Sequence, residues 1–164
     1  MRSMNWLLCF LLLGLAQTGL AQNLTWRTWE ELPDLQRVEA KSILIYVYAD
    51  WCKYCVMQEQ LVFQDSLIAA NLNQDFYCLK LNAEERESLS FLGRTYHFRS
   101  NGPGSGQHEL ATLLGKKEGN VSFPTLLFLS KEFQPLGRKQ GFVSKEGLFL
   151  WINERSRNCV GQSE

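Results

Sequence analysis

Uninterrupted apolar runs along the chain mark the predicted strands. Residues 43–49 form one such run, which is typical of a strand covered on both faces of a sheet. Residues 76–81 predict the next strand, and 125–129 with 136–142 predict an antiparallel pair. The segment 88–98 is ambiguous, because it alternates like a strand only in part. The pattern therefore predicts four strands and leaves one segment unassigned.

Capping residues ahead of apolar helical periods mark the predicted helices. Thr28 and Glu31 have the spacing of a capping box, in which each side chain bonds the backbone amide of the other residue. Ser66 and Ser144 are expected to cap two further helices. The predicted helices cover residues 28–40, 52–63, 66–73, 107–114 and 144–155. From the first strand onward, and with 52–63 and 66–73 taken as one helical unit, the order of elements is β-α-β-α-β-β-α, an α/β arrangement with additional residues before the last two strands.

The first 21 residues have the composition of a secretory signal peptide. Arg2 is the only charged residue among them, and small residues follow an apolar stretch at 6–15, as cleavable leaders require. A retained membrane anchor is the weaker interpretation, because the apolar stretch is shorter than the roughly 20 residues that span a bilayer. We therefore expect cleavage after Ala21, a single domain at 22–164, and a periplasmic or secreted protein.

The charge balance gives no support to a polyanionic partner. The chain has 17 basic and 17 acidic residues, and loss of Arg2 with the leader would change that balance by one. Binding to nucleic acid or to an anionic membrane through a basic surface is therefore not expected. Charge says nothing further about the substrate.

The chemistry of the chain is concentrated in Trp51-Cys52-Lys53-Tyr54-Cys55, directly after the apolar strand. Disulfide exchange requires a thiolate that attacks and a second thiol that resolves the mixed disulfide. Cys52 would lie where helix amides and the positive end of the helix dipole stabilise a thiolate, and Lys53 adds a cation. Cys55, one turn further in, would stay a thiol until it is needed. We therefore assign Cys52 as the nucleophile and Cys55 as the resolving residue of a redox-active Cys52–Cys55 disulfide.

Two motifs carry a resemblance to the thioredoxin-fold family. They are Tyr48-Ala49-Asp50-Trp51-Cys52-x-x-Cys55 and Phe123-Pro124-Thr125, with Gly141 after the last strand. More narrowly, residues 48 to about 84 resemble the C-terminal thioredoxin-like domain of the periplasmic interchange protein DsbD and the small secreted proteins related to it. The resemblance covers about 26–155 and implies a thioredoxin fold, an α/β architecture with a central mixed β-sheet flanked by helices.

The resemblance also implies where a substrate would bind. A cis peptide bond before Pro124 would place the backbone of Phe123 beside the cysteines, to receive a substrate strand. Trp51 and Gly141 complete this expected surface, although half-buried packing would explain Trp51 equally well. No cofactor is implied, and the partners would be protein thiols and disulfides together with a membrane electron donor of the DsbD type.

Two features depart from thioredoxin. Tyr46 lies six residues before Cys52, where a buried aspartate is expected, and a phenol is no efficient base near neutral pH. We propose Glu59, one helical turn after Cys55, as the substitute in proton transfer; an exposed glutamate without that role is the alternative. The segment 84–121 is longer than the usual helix and loop, and is an insertion before the cis-proline that either shapes partner choice or is a tolerated surface excursion.

The remaining cysteines and histidines admit two interpretations. The cysteine pair with His97 and His108 offers ligand types for zinc, but the spacing matches no common pattern, so no metal is expected. Cys78 is most simply a small buried hydrophobic residue, and Cys159 follows the last predicted helix. A structural disulfide between Cys78 and Cys159 is the alternative in an oxidising compartment.

These observations predict a periplasmic or secreted thiol-disulfide oxidoreductase that acts on proteins, and we favour a reductase. The direction of electron transfer between the protein and its substrate depends on Lys53 and Tyr54 between the cysteines. A tyrosine before the second cysteine also occurs in periplasmic isomerases. A disulfide isomerase or oxidant is therefore an alternative, although no dimerisation domain is visible and a monomer is expected. A peptide-binding module with a permanently closed disulfide is a further alternative.

Overall fold

The structure, a computed structural model, describes residues 23–117 and 120–160, without the side chains of 117, 120 and 155–160. The predicted signal peptide lies outside these described residues. The helices are α1 Leu32–Val38, α2 Lys53–Gln58 with a π-helical turn at Glu59–Phe63, α3 Ser66–Asp75, α4 Glu109–Gly115 and α5 Lys145–Val160. The strands are β1 Trp26–Arg27, β2 Ser42–Tyr48, β3 Phe76–Asn82, β4 Leu89–Phe91, β5 Arg94–Tyr96, β6 Phe98–Gly102, β7 Ser105–His108, β8 Lys116–Lys117, β9 Asn120–Val121, β10 Thr125–Leu129 and β11 Pro135–Gln140.

Five strands form a central mixed sheet in the order β1-β3-β2-β10-β11. β2 pairs in parallel with β3 on one side and antiparallel with β10 on the other. β10 and β11 form the predicted antiparallel pair, and β1 adds a short parallel edge that the sequence did not predict. The continuously apolar β2 is thus an inner strand, and its residues from Ile43 to Val47 are all 0 % exposed.

Helices cover both faces of this sheet. On one face, the ring of Phe128 in β10 packs edge-on against Trp151 of α5, with centroids 4.4 Å apart, and α3 packs beside α5. On the other face, Tyr77 of β3 donates a hydrogen bond from its hydroxyl to the carbonyl oxygen of Glu39, just after α1. Buried side chains of α4 contact β2. The predicted central mixed sheet flanked by helices is confirmed.

Two of the three predicted helix caps are present in the structure. Thr28 and Glu31 form the predicted capping box, with N···O distances of 2.9 and 3.2 Å, although α1 is shorter than predicted. Ser144 accepts a hydrogen bond from the amide of Gly147 at 3.2 Å, as predicted for an N-cap. The prediction for Ser66 is wrong: Asp65 caps α3, because its carboxylate accepts hydrogen bonds from two amides of the first turn. α3 also runs two residues further than predicted, to Asp75.

The segment 84–121 folds into three pairs of short antiparallel strands and a helix, and the third pair, β8 with β9, follows the helix. Strands β4 and β5 form the first hairpin, which resolves the ambiguous segment 88–98, and β6 and β7 form the second. The glycine-rich residues 101–106 include the turn of the second hairpin, where Gly104 has a φ of +69°. α4 then returns to the sheet, with Leu110 0 % exposed. Part of this segment is therefore core, since Phe91 and Tyr96 of the first hairpin are buried in the same hydrophobic cluster as Leu110.

His108 is a buried polar residue at the junction of β7 and α4. Its side chain is 0 % exposed, its Nδ1 accepts a hydrogen bond from the amide of Leu110 at 3.3 Å, and its own amide donates to the carbonyl of Ala83 at 2.7 Å. Burial lowers the pKa of the His108 imidazole. The neutral ring therefore caps α4.

The lowered pKa of His108 predicts a loss of stability in acid. The imidazole of the unfolded chain binds a proton near pH 6.5, whereas the folded chain binds it only at lower pH. The contribution of His108 to stability is therefore complete above about pH 6.5 and falls as the pH drops below it. We expect the urea midpoint of wild type to fall more steeply than that of His108→Asn between about pH 7.5 and pH 5, since asparagine caps a helix without titrating. His97→Asn, at an exposed histidine, is the control. Equal slopes for wild type and His108→Asn would contradict the prediction.

Candidate active site

The cysteine pair lies where β2 turns into α2. Cys52 is the N-cap of α2, and its amide donates a hydrogen bond to the carbonyl of Ala49 at 3.0 Å. The amide of Cys55 donates to the Sγ of Cys52 at 3.3 Å. Both cysteines are free thiols in this structure. The predicted strand–turn–helix setting is therefore present, with the Cys52 sulfur facing the amides of the first helical turn.

The two thiols differ in environment. Cys52 is 7 % exposed and Cys55 only 2 %. Burial, followed by a hydrogen bond with Cys52, raises the pKa of Cys55 to about 12. Cys55 is therefore a thiol at neutral pH and must lose its proton before it can attack a disulfide. This agrees with the expectation that Cys55 stays protonated until it is needed.

Tyr46 contacts Cys55 at its backbone carbonyl and at its side chain. The buried Tyr46 hydroxyl donates a hydrogen bond to the carbonyl oxygen of Cys55 at 3.0 Å. Burial, with smaller effects from nearby negative charge, raises the pKa of Tyr46 above its usual range. The phenol therefore stays protonated at neutral pH, and it holds the first turn of α2 without acting as a base.

A cleft of about 360 Å³ reaches the buried cysteine, and Cys55, Glu59 and Lys80 are among the residues that line it. The Glu59 carboxylate pairs with the ammonium of Lys80 at 3.0 Å. Glu59 was predicted one helical turn after Cys55, and both residues line this cleft. Lys80 was not predicted. It is the only charged residue within the apolar strand 76–81, and that charge was a signal that could have identified it.

Lys80 is held by aromatic rings as well as by Glu59. Its ammonium lies 5.0 Å from the ring centroid of Trp26, 5.9 Å from that of Tyr46 and 5.6 Å from that of Tyr48. A cation is attracted to the face of an aromatic ring at such distances. These contacts fix Lys80, and through it the carboxylate of Glu59, at the cleft.

The expected substrate-binding residues lie together beside Cys52. The peptide bond between Phe123 and Pro124 is cis, and the carbonyl of Pro124 accepts a hydrogen bond from the amide of Gly141 at 2.8 Å. Gly141 has a φ of +83°, a conformation that favours glycine. Trp51 is 66 % exposed, and its ring lies edge-on to Phe123 with centroids 6.0 Å apart. Trp51 is therefore a surface residue, and half-buried packing does not describe it.

A hydrogen bond links Trp51 to the start of the segment 84–121. The indole Nε1 of Trp51 donates to the Oε1 of Glu84 at 3.1 Å. Asn82, the last residue of β3, donates its side-chain amide to Asp50 at 2.8 Å and accepts from the amide of Glu84 at 3.0 Å. Glu84 and Asn82 were not predicted, because their proximity to Trp51 depends on the parallel pairing of β2 with β3.

Cys78 and the two histidines lie in other parts of the fold. Cys78 is a free thiol buried in β3, and burial raises its pKa; the side chain of Cys159 lies outside the described part of the chain. The Nδ1 of His97 shares a hydrogen bond with the hydroxyl of Ser88 at 2.7 Å. Within the described residues, no group of three or more His, Cys, Asp or Glu side chains could hold a metal ion. No helix in the same part of the chain is long and apolar enough to cross a membrane.

Two kinds of comparison relate the sequence to known proteins. The family model described as "Thioredox_DsbH: Protein of unknown function, DUF255" matches residues 15–139. Spermatogenesis-associated protein 20 of Mus musculus is 32 % identical over 72 residues, which are 43 % of this chain and 9 % of that protein. The Homo sapiens protein of the same name is 33 % identical over 72 residues, with the same coverage. The chain thus matches only a small part of the length of these curated relatives.

Similar solved structures show the fold. The structure described as "DsbH Oxidoreductase" is 16 % identical with a TM-score of 0.54, and the match covers 85 % of this chain and 86 % of that one. A thioredoxin from Thermus thermophilus is 16 % identical with a TM-score of 0.60, covering 87 % and 95 %. A disulphide isomerase from Xylella fastidiosa Temecula1 is 15 % identical with a TM-score of 0.50, covering 82 % and 98 %. With a thioredoxin fold and a family model that matches most of its length, the chain belongs to the thioredoxin-like DsbH (DUF255) family.

Proposed function

We propose that this protein is a thiol-disulfide oxidoreductase that acts on protein substrates as a periplasmic or secreted reductase. The observation that carries the proposal is a pair of free thiols, Cys52 and Cys55, one helical turn apart beside an exposed aromatic surface. The family and the fold support thiol-disulfide chemistry. The location outside the cytoplasm rests on the predicted signal peptide, and the electron donor we propose is a membrane protein of the DsbD type.

The proposed reaction proceeds through a mixed disulfide. The thiolate of Cys52 attacks one sulfur of the substrate disulfide, forms the bond between Cys52 and that sulfur, and releases the other sulfur as a thiolate. Cys55 then loses its proton and attacks the Sγ of Cys52, which releases the first substrate sulfur as a second thiolate. The substrate gains two electrons, the protein is oxidised to the Cys52–Cys55 disulfide, and an external dithiol restores the reduced form.

We favour the reducing direction because the resemblance to the C-terminal domain of DsbD implies a dithiol that receives electrons from a membrane partner. Burial, which raises the pKa of Cys55 to about 12, bears on a different step: it opposes a thiolate at this position, so that resolution of the mixed disulfide requires removal of the Cys55 proton.

We propose Glu59 as the group that moves the proton of Cys55. The carboxylate lies one turn after Cys55, and both residues line the same cleft. Lys80 keeps the carboxylate at the cleft through the ion pair at 3.0 Å. With Tyr46 held in its protonated form, we propose that Glu59 takes the place of the missing aspartate; Asp50, the other carboxylate that lines the cleft, accepts a hydrogen bond from Asn82.

Glu59→Gln is expected to slow resolution of the mixed disulfide by about 10²-fold at pH 7, at the lower end of what a general base contributes. The glutamine keeps the shape of the side chain but accepts no proton. Because hydroxide must then deprotonate Cys55, whose pKa is about 12, the rate should rise with pH throughout the alkaline range. Quenched-flow alkylation with mass detection measures this rate. Glu132→Gln, in the turn at the opposite end of β10, is the matched control, and equal rates for Glu59→Gln and wild type would remove Glu59 from the mechanism.

The proposed function is tested by direct exchange in the absence of any other thiol. Reduced protein is mixed with an excess of a disulfide-linked peptide, and the products are alkylated and weighed by mass spectrometry. We expect one peptide disulfide to open for each Cys52–Cys55 disulfide that closes. A protein that keeps both thiols under these conditions is not a thiol-disulfide oxidoreductase of this type.

A further inference from the structure

We propose that the Trp51–Glu84 pair makes the protein selective for substrates with a basic side chain beside the reacting disulfide. The inference rests on the proposed function, because it concerns the substrate of the same site. Trp51 and Glu84 are both exposed, and the hydrogen bond of 3.1 Å fixes the carboxylate at the edge of the indole ring. An aromatic face and a carboxylate are thus presented side by side to the solvent.

This pair is next to the position of the reacting sulfur. Trp51 precedes Cys52 directly, and its ring lies edge-on to Phe123 on the other side of the site. A substrate chain that brings a disulfide to Cys52 and passes beside Phe123 must place a neighbouring side chain near Trp51. The Trp51–Glu84 pair therefore contacts the residues that flank the substrate cysteine.

The chemistry of the pair favours a cation. A guanidinium or ammonium group is attracted to the face of an indole ring, and a carboxylate accepts charge-assisted hydrogen bonds from the same group. An arginine side chain can stack on Trp51 while it donates to Glu84, because its guanidinium is planar and has several donors. An acidic side chain in this place would lie against two features of negative potential, the ring face and the carboxylate.

Asn82 places a second carboxylate on the same side. Its amide nitrogen donates to Asp50 at 2.8 Å, while its oxygen accepts from the amide of Glu84 at 3.0 Å. Two cations are also near in sequence. Lys53 is exposed after Cys52, and the guanidinium of Arg86 lies 4.6 Å from the ring centroid of Phe98, within the second hairpin. Two carboxylates, those of Asp50 and Glu84, thus lie on the side of the site that carries Trp51.

The test uses the reduced protein and three disulfide-linked peptides that differ only in the residue beside the cysteine, which is arginine, glutamine or glutamate. The rate of protein oxidation is measured by quenched alkylation and divided by the rate of the same peptide with dithiothreitol, to remove intrinsic differences in reactivity. We expect the arginine peptide to react about tenfold faster than the glutamate peptide at low ionic strength. High salt should reduce this ratio, because the interacting charges are exposed.

Glu84→Gln identifies the residue responsible. The glutamine oxygen still accepts the indole hydrogen bond, so that Trp51 keeps its position while the charge is lost. We expect the ratio of arginine to glutamate rates to fall about threefold in Glu84→Gln, and to keep its wild-type value in the control Glu132→Gln. If all three peptides react at equal normalised rates with wild type, the selectivity is refuted and the proposed function stands. If no peptide oxidises the protein, the proposed function itself fails.

Discussion

Cys52→Ser is expected to lower the turnover of disulfide peptides by at least about 10³-fold, because a serine hydroxyl is not ionised at neutral pH and cannot replace the attacking thiolate. Cys52 is the more exposed thiol of the pair, and the amides of the first turn of α2 face its sulfur. Serine is a favourable N-cap, so the fold should be kept. The measurement is steady-state reduction of a disulfide peptide with dithiothreitol as electron donor, corrected for the direct reaction.

The control for this loss is Cys78→Ala. Cys78 is buried in β3 and contributes nothing to the proposed reaction, so the turnover of Cys78→Ala should stay near the wild-type value. A Cys52→Ser protein that still turns over substrate would contradict the assignment of the nucleophile. A wild type that binds peptides without turnover, and a variant that binds them equally well, would favour the peptide-binding module.

Cys55→Ser is expected to stop the reaction halfway. Cys52 still attacks the substrate disulfide, but no second thiol follows within reach, and the mixed disulfide should persist at least about 10³-fold longer than in wild type. Under non-reducing conditions, we expect nearly every protein molecule to carry one covalently bound peptide. Intact-mass spectrometry after acid quenching measures the adduct.

A double variant separates this adduct from side reactions. Made in a mature chain that also carries Cys159→Ser, Cys52→Ser combined with Cys55→Ser should form none, because the remaining Cys78 is buried and its pKa is raised by burial. An adduct that survives in the double variant would place the reactive thiol elsewhere in the chain. A Cys55→Ser protein without an adduct would contradict the two-step mechanism.

The parts of the fold that depend on local sequence were predictable. The apolar run of β2, the capping box at Thr28 and Glu31, and the cap at Ser144 each depend on residues close together in the chain. The same is true of the cysteine pair, whose position between a strand and a helix defines its chemistry. The predicted cap of α3, Ser66, directly follows the observed cap, Asp65. Both side chains can accept the hydrogen bonds of a first turn, so the prediction is wrong by one residue.

The features that depend on distant contacts were not predictable from these patterns. Lys80 interrupts an apolar strand, and its role at the cleft follows only from the aromatic rings and from Glu59, which other elements bring to it. Glu84 reaches Trp51 because β3 runs parallel to β2. The short edge strand β1 has no period of its own, since two residues are too few to show one. The charge of Lys80 within an apolar strand was a local signal, but in each case the partners lie far along the chain, and these patterns do not identify them.

The most direct measurement is the equilibrium of the Cys52–Cys55 pair against graded ratios of reduced and oxidised dithiothreitol or glutathione, read by thiol alkylation and mass. We predict that the pair opens and closes reversibly, with a reduction potential near the value of thioredoxin, about −270 mV. A potential near about −120 mV would make the protein an oxidant and contradict the reducing direction. A pair that does not open, or that opens and never closes again, would contradict disulfide exchange itself.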